Sequence, residues 1–491
     1  MKEEMDMEKS ERKGRVTLTL AAASLIAGFG SSFQYGYNVA VINSPAPEMK
    51  LFYTRIYEDR YGPMSDNLLT LLWSVTVSMY PLGGFFGSLM VAPLVNKFGR
   101  KGTLLFNNIF SIVPAIMMGV SEVAGSFEII IAARFLVGIC LSSNVVSMYL
   151  GEIAPKNYRG AIGIVPQLFI TIGILVAQVF GVRNILGNME GWPIMLGLTG
   201  IPAAIELLLL PFFPESPRYM LIQKGDEKTA RKGTEGWFYD GDVDEELCEM
   251  RVEEQSEQAE GRLSVLNLFT FRSLRWQLLS VIFMNMGQQL SGVNAIYYYA
   301  DSIYSSAGVA EDHVQYVTVG TGAVNVFMTI AAVSHLLSRY KWCNKCSTFH
   351  PQTSLDWMPY VSIVCVIIYL FLHPSAGPIP NVITTEMFRQ SSRPPAFMVA
   401  GTVHWLSNFT VGLVFPFLER GLGAYSFIIF ACICLATLIY IGVVIPETKN
   451  KTFLETSKLF AHRNRVDIFL YSYYFHMVLK NFYTKFNKRF N

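Results

Sequence analysis

The chain has 491 residues, of which 52% are hydrophobic and only 15% are charged, and its formal net charge is +2. A typical soluble protein carries about 25% charged residues, so this composition excludes a set of soluble domains with polar surfaces. The small net charge indicates no nucleic-acid partner, and the seven dispersed cysteines do not form the pattern of a disulfide framework. We therefore predict an all-α membrane protein whose main surroundings are the lipid bilayer.

A helix needs about 20 apolar residues to cross a bilayer. Taken in chain order, the sequence predicts six spans, a charged stretch and then five more spans. The first six spans lie near 17–40, 68–92, 104–121, 127–150, 161–183 and 192–213. The other five lie near 276–299, 314–338, 358–385, 396–417 and 425–446.

Lysine and arginine are unevenly distributed between the two sides of these spans. With the N-terminus inside, the inner segments of the first eight spans hold 19 of them and the outer loops hold 4. This bias predicts a cytoplasmic N-terminus. With eleven spans, the basic tail at 447–491 would lie outside the cell. With twelve spans, the tail would lie in the cytoplasm, where its basic residues are expected. We infer that a helix of the second half, expected near 340–356, is missing or replaced.

Two motifs recur at a nearly constant separation along the chain, and one of them is the Pro-Glu pair that follows the sixth and the last spans, with Glu215 and Glu447 232 residues apart. Glu152 and Arg159 form an E-x6-R pattern after an apolar span, and Glu386 and Arg393 repeat it 234 residues later. Such recurrence indicates a duplicated set of helices. We expect a cytoplasmic N-terminus at 1–16, a six-helix bundle at 17–213, cytoplasmic linker helices at 214–275, a second bundle at 276–446 and a basic, aromatic cytoplasmic tail at 447–491.

Uncharged polar residues occur inside two of the predicted spans. Amides both donate and accept hydrogen bonds, which suits a ligand with many hydroxyls and little charge. Because polar groups that face hydrocarbon are costly, these side chains are expected to line a central cavity; the alternative is that they form hydrogen bonds between helices. Helical spacing predicts that Gln288 and Gly292 share one face, with Gly292 allowing close approach. The set comprises Gln167 in the fifth span and Gln288, Gln289, Asn294, Tyr297 and Tyr298 in the seventh.

A combination of motifs resembles the facilitative sugar transporters of the major facilitator superfamily. The motifs are FGRK at 98–101, PESPR at 214–218, QQLSGVNAIYYYAD at 288–301 and PETK at 446–449. The chain is similar to this family through most of 15–338 and 357–455, and is most similar to its fructose-type members. The resemblance implies two pseudo-symmetric six-helix bundles that work by alternating access.

The same resemblance assigns roles to individual residues. The sugar contacts that it implies are Tyr35, Gln167, Gln288, Ile296, Tyr297, Tyr298, His373, His404 and Trp405, with Gln289 and Asn294 added by the wider family. The cytoplasmic gate that it implies is formed by ion pairs among Arg100, Glu152, Arg159, Glu386 and Arg393. A second FGRK-like loop would be expected near 334 but is not found there, so we expect a weakened inner gate and a bias toward the inward-facing form.

Several positions bear on the substrate and on coupling. Glucose-type members carry a tryptophan where this chain has Asn381 and an asparagine where it has His404, and they carry Gln-Leu-Ser at 285–287 where it has Asn-Met-Gly. These differences favour D-fructose as the hexose. Proton-coupled relatives carry aspartate where this chain has Asn38, and an amide cannot exchange a proton. The sequence therefore predicts a facilitative, uncoupled hexose uniporter.

Two ionisable residues lie inside predicted spans, where charge is expensive. We interpret Glu206 in the sixth span as a protonated or partnered structural residue, with a proton-coupling site as the alternative, and Arg134 in the fourth span as one member of an ion pair. Cys343, Cys346 and His350 supply only three candidate zinc ligands, so we predict no metal site.

The sequence contains no pattern that predicts an enzyme, a cofactor or a requirement for an oligomer. We expect a multi-pass protein of the plasma membrane with both termini in the cytoplasm. Other readings remain open: a transport-deficient variant or membrane sensor produced by the lost span, a glucose-type carrier, or a proton-coupled sugar carrier.

Overall fold

A computed structural model describes residues 17–139, 142–154, 159–237, 243–244, 247–248, 250–251, 274–306, 309–336, 379–388, 392–422 and 426–445. The described residues form helices and no strand. The segment 340–356, in which we expected a missing helix, lies outside them, as do His373, the Cys343–His350 cluster and the tail.

The described part of the first half contains ten α-helices. They are α1 (Leu18–Ala27), α2 (Phe33–Ala40), α3 (Ala46–Tyr61), α4 (Asp66–Asn107), α5 (Ile109–Val120), α6 (Phe127–Gly138), α7 (Ser142–Ile153), α8 (Arg159–Phe180), α9 (Trp192–Gly197) and α10 (Gly200–Leu209). A π-helical turn, Gly28–Ser32, joins α1 to α2 within the first span. Helix α11 (Glu227–Trp237) belongs to the cytoplasmic linker.

Small residues bring the helices of the first half close together. A Cβ on Gly36 of α2 would overlap the Ile170 carbonyl of α8, and a Cβ on Gly173 of α8 would overlap the Phe33 carbonyl of α2. Only glycine permits this backbone contact, which is typical of helix packing in membranes. The first and fifth spans therefore pack as one rigid pair.

The second half is described in six helices. They are α12 (Arg275–Gln289), α13 (Val293–Ser306), α14 (Glu311–Leu336), α15 (Ile379–Met387), α16 (Arg393–Leu422) and α17 (Ser426–Val444). Five helical stretches of the described chain are long and apolar enough to cross a membrane: Asp66–Val120, which covers the predicted second and third spans, Ile162–Phe180, Trp192–Phe212, His313–Ala331 and Arg393–Leu422.

The predicted seventh span is not one continuous helix. It breaks between Gln289 and Val293, where Gly292 has a φ of +97°, a left-handed conformation that favours glycine. The expectation that Gln288 and Gly292 share one helical face was therefore wrong. Close approach at Gly292 does occur, because a Cβ there would lie 2.8 Å from the Phe430 ring of α17.

The two halves meet through three pairs of helices. Helix α16 packs along α4, α14 packs along α8, and α13 contacts α2. The predicted polar residues of the first, fifth, seventh and tenth spans lie on helices of these pairs or directly before them.

Candidate sugar-binding site and cytoplasmic gate

A cluster of aromatic and polar side chains joins the two halves. The Tyr35 hydroxyl lies 3.3 Å from Nε2 of His404. The Trp405 ring meets Tyr35 and Tyr80 edge-on, with centroids 5.4 and 5.6 Å away. A Cβ on Gly84 would overlap the Trp405 ring, so this glycine gives the indole its place against α4. The packing therefore fixes one large aromatic face next to two polar groups.

Two tyrosines of α13 extend this cluster. The Tyr298 hydroxyl donates to Oδ1 of Asn408 over 2.9 Å, and Nδ2 of Asn325 donates to the Tyr297 hydroxyl over 2.8 Å. Tyr298 and Trp405 belong to one packed cluster, and Tyr35 and Tyr297 pack against it. Tyr298 is buried, whereas Tyr297 is half-buried. The first, seventh, eighth and tenth spans thus share one polar and aromatic region.

The predicted amide side chains differ in burial and in their hydrogen-bond partners. Nδ2 of Asn294 donates to Oε1 of Gln289 over 2.6 Å, so this buried pair bridges the break in the seventh span. Gln167 and Gln288 are only half-buried. Gln167 lies on α8, which packs against both α2 and α14. Ile296 is buried in a small cluster with Val293, and Tyr297 packs against both this cluster and the one that contains Trp405.

Three members of this region were missing from the sequence-based set: Tyr80, Asn325 and Asn408. Asn325 and Asn408 are polar residues inside predicted spans, so the argument that selected Gln167 applied to them as well. The sequence did not indicate Tyr80, because aromatic residues are common in membrane spans and usually pack between helices.

Arg134 is fully buried, and the expected ion pair is not what the structure contains. Its NH1 group donates to the Asn38 carbonyl over 2.8 Å, and its guanidinium lies 4.7 Å from the centre of the Tyr80 ring. Among the described residues no carboxylate pairs with it. The prediction was wrong because a carbonyl and an aromatic face, rather than an acidic side chain, surround the cation.

The cytoplasmic end of the first half contains a buried ion pair. Arg100 and Glu152 lie 2.7 Å apart and are 1% and 5% exposed. Ser216 donates a short hydrogen bond to the other oxygen of Glu152. The Arg100 guanidinium lies 4.9 Å from the centre of the Tyr219 ring and donates to Oε1 of Gln223. Residues of the 214–218 motif and of the turn after it therefore hold Arg100 in place.

The same motif binds the backbone of the FGRK loop. Glu215 accepts hydrogen bonds from the backbone N–H groups of Arg100 and Lys101, each over 3.1 Å. The loop can turn toward Glu215 because Gly99 has a φ of +80°. Burial raises the pKa of the Glu215 carboxyl, and burial lowers the pKa of Lys101, whose Nζ donates to two backbone carbonyls.

The rest of the predicted gate is only partly described. Nε of Arg393 donates to the Phe388 carbonyl over 3.0 Å. The backbones of Arg159 and Glu386 are helical, but their side chains lie outside the described residues. The gate can therefore be described only for its first-half pair.

On the outer side, three polar contacts connect the halves. Nδ2 of Asn43 donates to Oδ1 of Asp301 over 3.0 Å, and the Arg183 N–H donates to Oε1 of Gln315 over 3.0 Å. A guanidinium N–H of Arg420 donates to the Thr70 hydroxyl. The two halves thus contact each other at the ends of the first and seventh spans.

Comparison with known families decides the class of protein. The model of the "Sugar (and other) transporter" family matches residues 23–460. The chain belongs to this family. Its members are transporters, which agrees with the expectation that the chain is not an enzyme.

Several family members are similar over nearly the whole chain. Human "Solute carrier family 2, facilitated glucose transporter member 5" is 63% identical over 480 residues, covering 94% of this chain and 95% of that protein. The mouse protein of the same name is 59% identical over 483 residues, covering 94% and 96%. Human member 7 is 53% identical over 475 residues, covering 93% of each.

Solved structures identify the fold. A major facilitator superfamily proton:xylose symporter, XylE, bound to 6-bromo-6-deoxy-D-glucose, matches with a TM-score of 0.75 at 20% identity, covering 90% of this chain and 99% of that one. The inward-open conformation of XylE from E. coli matches with a TM-score of 0.65 at 21% identity, covering 90% and 99%. The predicted fold class, an all-α membrane protein of the major facilitator superfamily, is confirmed.

Proposed function

We propose that this sugar transporter is a facilitative uniporter that carries a hexose, D-fructose, down its gradient across the plasma membrane. The observation that carries the proposal is the Tyr35–His404 contact beside Trp405, which places uncharged hydrogen-bonding groups and an aromatic face between the two halves. Sugars are bound by such combinations because their hydroxyls need donors and acceptors while their carbon faces pack on rings.

The choice of fructose follows from His404, from Asn381 and from the Asn-Met-Gly sequence at 285–287. Glucose-type members of the resembled family differ at each of these places. An asparagine at 381 leaves more room than a tryptophan would, which suits a furanose ring. The substrate set that we propose comprises Tyr35, Gln167, Gln288, Gln289, Asn294, Ile296, Tyr297, Tyr298, His373, His404 and Trp405.

Uncoupled transport follows from Asn38. Its Nδ2 donates to the Gln34 backbone carbonyl within the same helix, and the backbone carbonyl of Asn38 accepts from Arg134. An amide at this place binds no exchangeable proton, so sugar movement has no built-in proton step.

The mechanism that we propose is alternating access. The halves rock about the sugar, so that the contact of Asn43 with Asp301, which joins the halves on the outer side, forms when that side closes. The proposed inner gate uses Arg100, Glu152, Arg159, Glu386 and Arg393, and its Arg100–Glu152 pair lies within the first half and is formed together with the outer contact. A contact that forms in only one conformation stabilises that conformation selectively and so shifts the population toward it. A single chain contains both halves, so the cycle requires no oligomer.

Uptake into proteoliposomes tests the proposal. Radiolabelled fructose and glucose should be compared in parallel, with empty liposomes as the background. We expect saturable fructose uptake that stops at equal concentrations on the two sides. Uptake equal to that of empty liposomes would refute transport, and faster uptake of glucose than of fructose would refute the proposed selectivity.

A further inference from the structure

Glu206 is a carboxyl group that the transport mechanism above does not use. It lies on α10 in the sixth span and is 0% exposed. The Ser31 hydroxyl donates to its two oxygens, over 3.0 and 2.8 Å. Among the described residues, no lysine, arginine or histidine forms an ion pair with it.

A buried carboxyl without a countercharge costs far less free energy in its neutral form than in its charged form. A neutral carboxyl has one donor and one acceptor end, as an amide does. The buried Ser31 hydroxyl contacts both oxygens of Glu206. Its surroundings therefore match a structural hydrogen-bonding group rather than a site that exchanges charge during each cycle.

Its partner Ser31 belongs to an unusual piece of helix. The turn Gly28–Ser32 is π-helical, whereas the segments before and after it are α-helical. A π-turn holds one extra residue and is stable where surrounding contacts select it. Gly30 within this turn has no room for a Cβ, because the Glu206 side chain occupies that place. Glu206 thus contacts the turn through one hydrogen-bonding residue and one close-packed glycine.

The π-helical turn determines the rotation of α2 about its helix axis. Tyr35 follows the turn by three residues and reaches His404 in the other half. A different number of residues in the turn would rotate α2 by about 100° per residue. The close packing of Gly36 on Ile170 fixes α2 in the rotation that the turn provides. Whatever holds the turn therefore also sets the direction of the Tyr35 side chain.

We propose that Glu206 is a positioning residue for the sugar site, acting through Ser31 and the π-helical turn of the first span on Tyr35. The proposal rests on the proposed function, since Tyr35 is taken as a sugar contact. Glu206 itself does not touch the sugar.

Two variants separate positioning from charge. Glu206→Gln keeps the shape and the hydrogen-bonding ends of a neutral carboxyl, whereas Glu206→Ala removes them. Ser24→Ala is a matched control, because Ser24 is buried in the same span but its hydroxyl donates to the Leu20 carbonyl of its own helix. We expect Glu206→Ala to raise the KM for fructose about tenfold while changing the maximal rate by less than about threefold, and Glu206→Gln and Ser24→Ala to retain the wild-type KM.

Amide hydrogen exchange of residues 28–37 in lipid nanodiscs gives a second readout that needs no transport. Faster exchange in Glu206→Ala, with wild-type exchange in Glu206→Gln, supports the proposal. If Glu206→Ala keeps both the wild-type KM and wild-type exchange, or if Glu206→Gln is as impaired as Glu206→Ala, the proposal is overturned. Should the wild-type chain fail to take up fructose, the proposed function fails, and the exchange pattern alone still decides whether Glu206 holds the turn.

Discussion

The Tyr35 hydroxyl and Nε2 of His404 lie 3.3 Å apart although 369 positions separate them in the chain. Tyr35 belongs to the first span and His404 to the tenth. This contact connects the two halves beside the Trp405 ring, where we propose that the sugar binds.

Removing either member of this contact should weaken fructose transport. We expect Tyr35→Phe and His404→Ala each to raise the KM about tenfold, because a buried polar group left without its partner costs about 1–3 kcal/mol. The double variant should lose less than the product of the two effects, since the second change removes a contact that is already broken. Tyr61→Phe, at a tyrosine that is 67% exposed, is the control. Strictly multiplicative effects would argue against a shared role.

The Arg100–Glu152 pair should matter greatly for stability. Glu152→Ala leaves Arg100 as a buried, unpaired cation, which costs about 3–5 kcal/mol, so we expect a clearly lower Tm in detergent. The matched control is Asp244→Asn, whose partner Arg231 forms an exposed pair worth about 0–1 kcal/mol. Equal Tm values for the two variants would mean that the buried Arg100–Glu152 pair stabilises the protein no more than the exposed pair does.

The outer contact between Asn43 and Asp301 should favour closure of the outer side. We expect the resting protein to be mostly inward-facing, and Asp301→Ala to shift it toward the outward-facing form, because the lost hydrogen bond exists only when the outer side is closed. Pulsed EPR between spin labels at the exposed positions Glu58 and His313 measures this distance. Asp66→Asn, at an exposed outer residue, should leave it unchanged. A wild-type majority with a long outer distance would contradict the prediction.

Fructose uptake should be independent of an imposed proton gradient. Asn38 supplies an amide where a coupled carrier needs a titrating carboxyl, and its Nδ2 is engaged by the Gln34 carbonyl. A pH-sensitive dye inside the proteoliposomes checks this by reporting internal pH while labelled fructose enters. Acidification or alkalinisation in step with uptake, absent from empty liposomes, would show coupling.

The Glu215 carboxyl should make stability depend on pH. Because burial raises its pKa in the folded state above the ordinary value of 4.5, the charged form is disfavoured there, so its contribution to stability falls as pH rises through that raised value. Glu215→Gln keeps an acceptor oxygen but does not titrate. We expect the Tm of the wild type, relative to Glu215→Gln, to be lower at about pH 7 than at about pH 4. A difference that stays constant over this interval would exclude the effect.

Much of the fold followed from the sequence because span length and the positive-inside rule depend on composition over long windows. The all-α class and the sugar transporter fold needed no side-chain geometry. The break at Gly292 did not follow, since hydrophobicity continues through Leu290 and Val293 while the backbone reverses its φ. A window average does not respond to the conformation of one residue.

The site was harder to predict in its details. Arg100 and Glu152 were expected to form ion pairs in the cytoplasmic gate, and the structure pairs them. The partners of Arg134 could not be predicted from the sequence. These partners are the backbone carbonyl of Asn38 and the ring of Tyr80. In the sequence, nothing distinguishes them from other backbone carbonyls or other aromatic residues of a helix core. Asn325 and Asn408 could have been found by applying the cavity argument to every span.

The left-handed residue at Gly292 divides the seventh span into two rods with separate axes. The inner rod, ending at Gln289, packs with the last two helices, while the outer rod, starting at Val293, reaches across to the first half. A probe attached to one rod therefore reports a different movement from a probe attached to the other. Alanine at Gly292 would strain this left-handed backbone and place a Cβ 2.8 Å from the Phe430 ring, so the angle between the two rods would have to change.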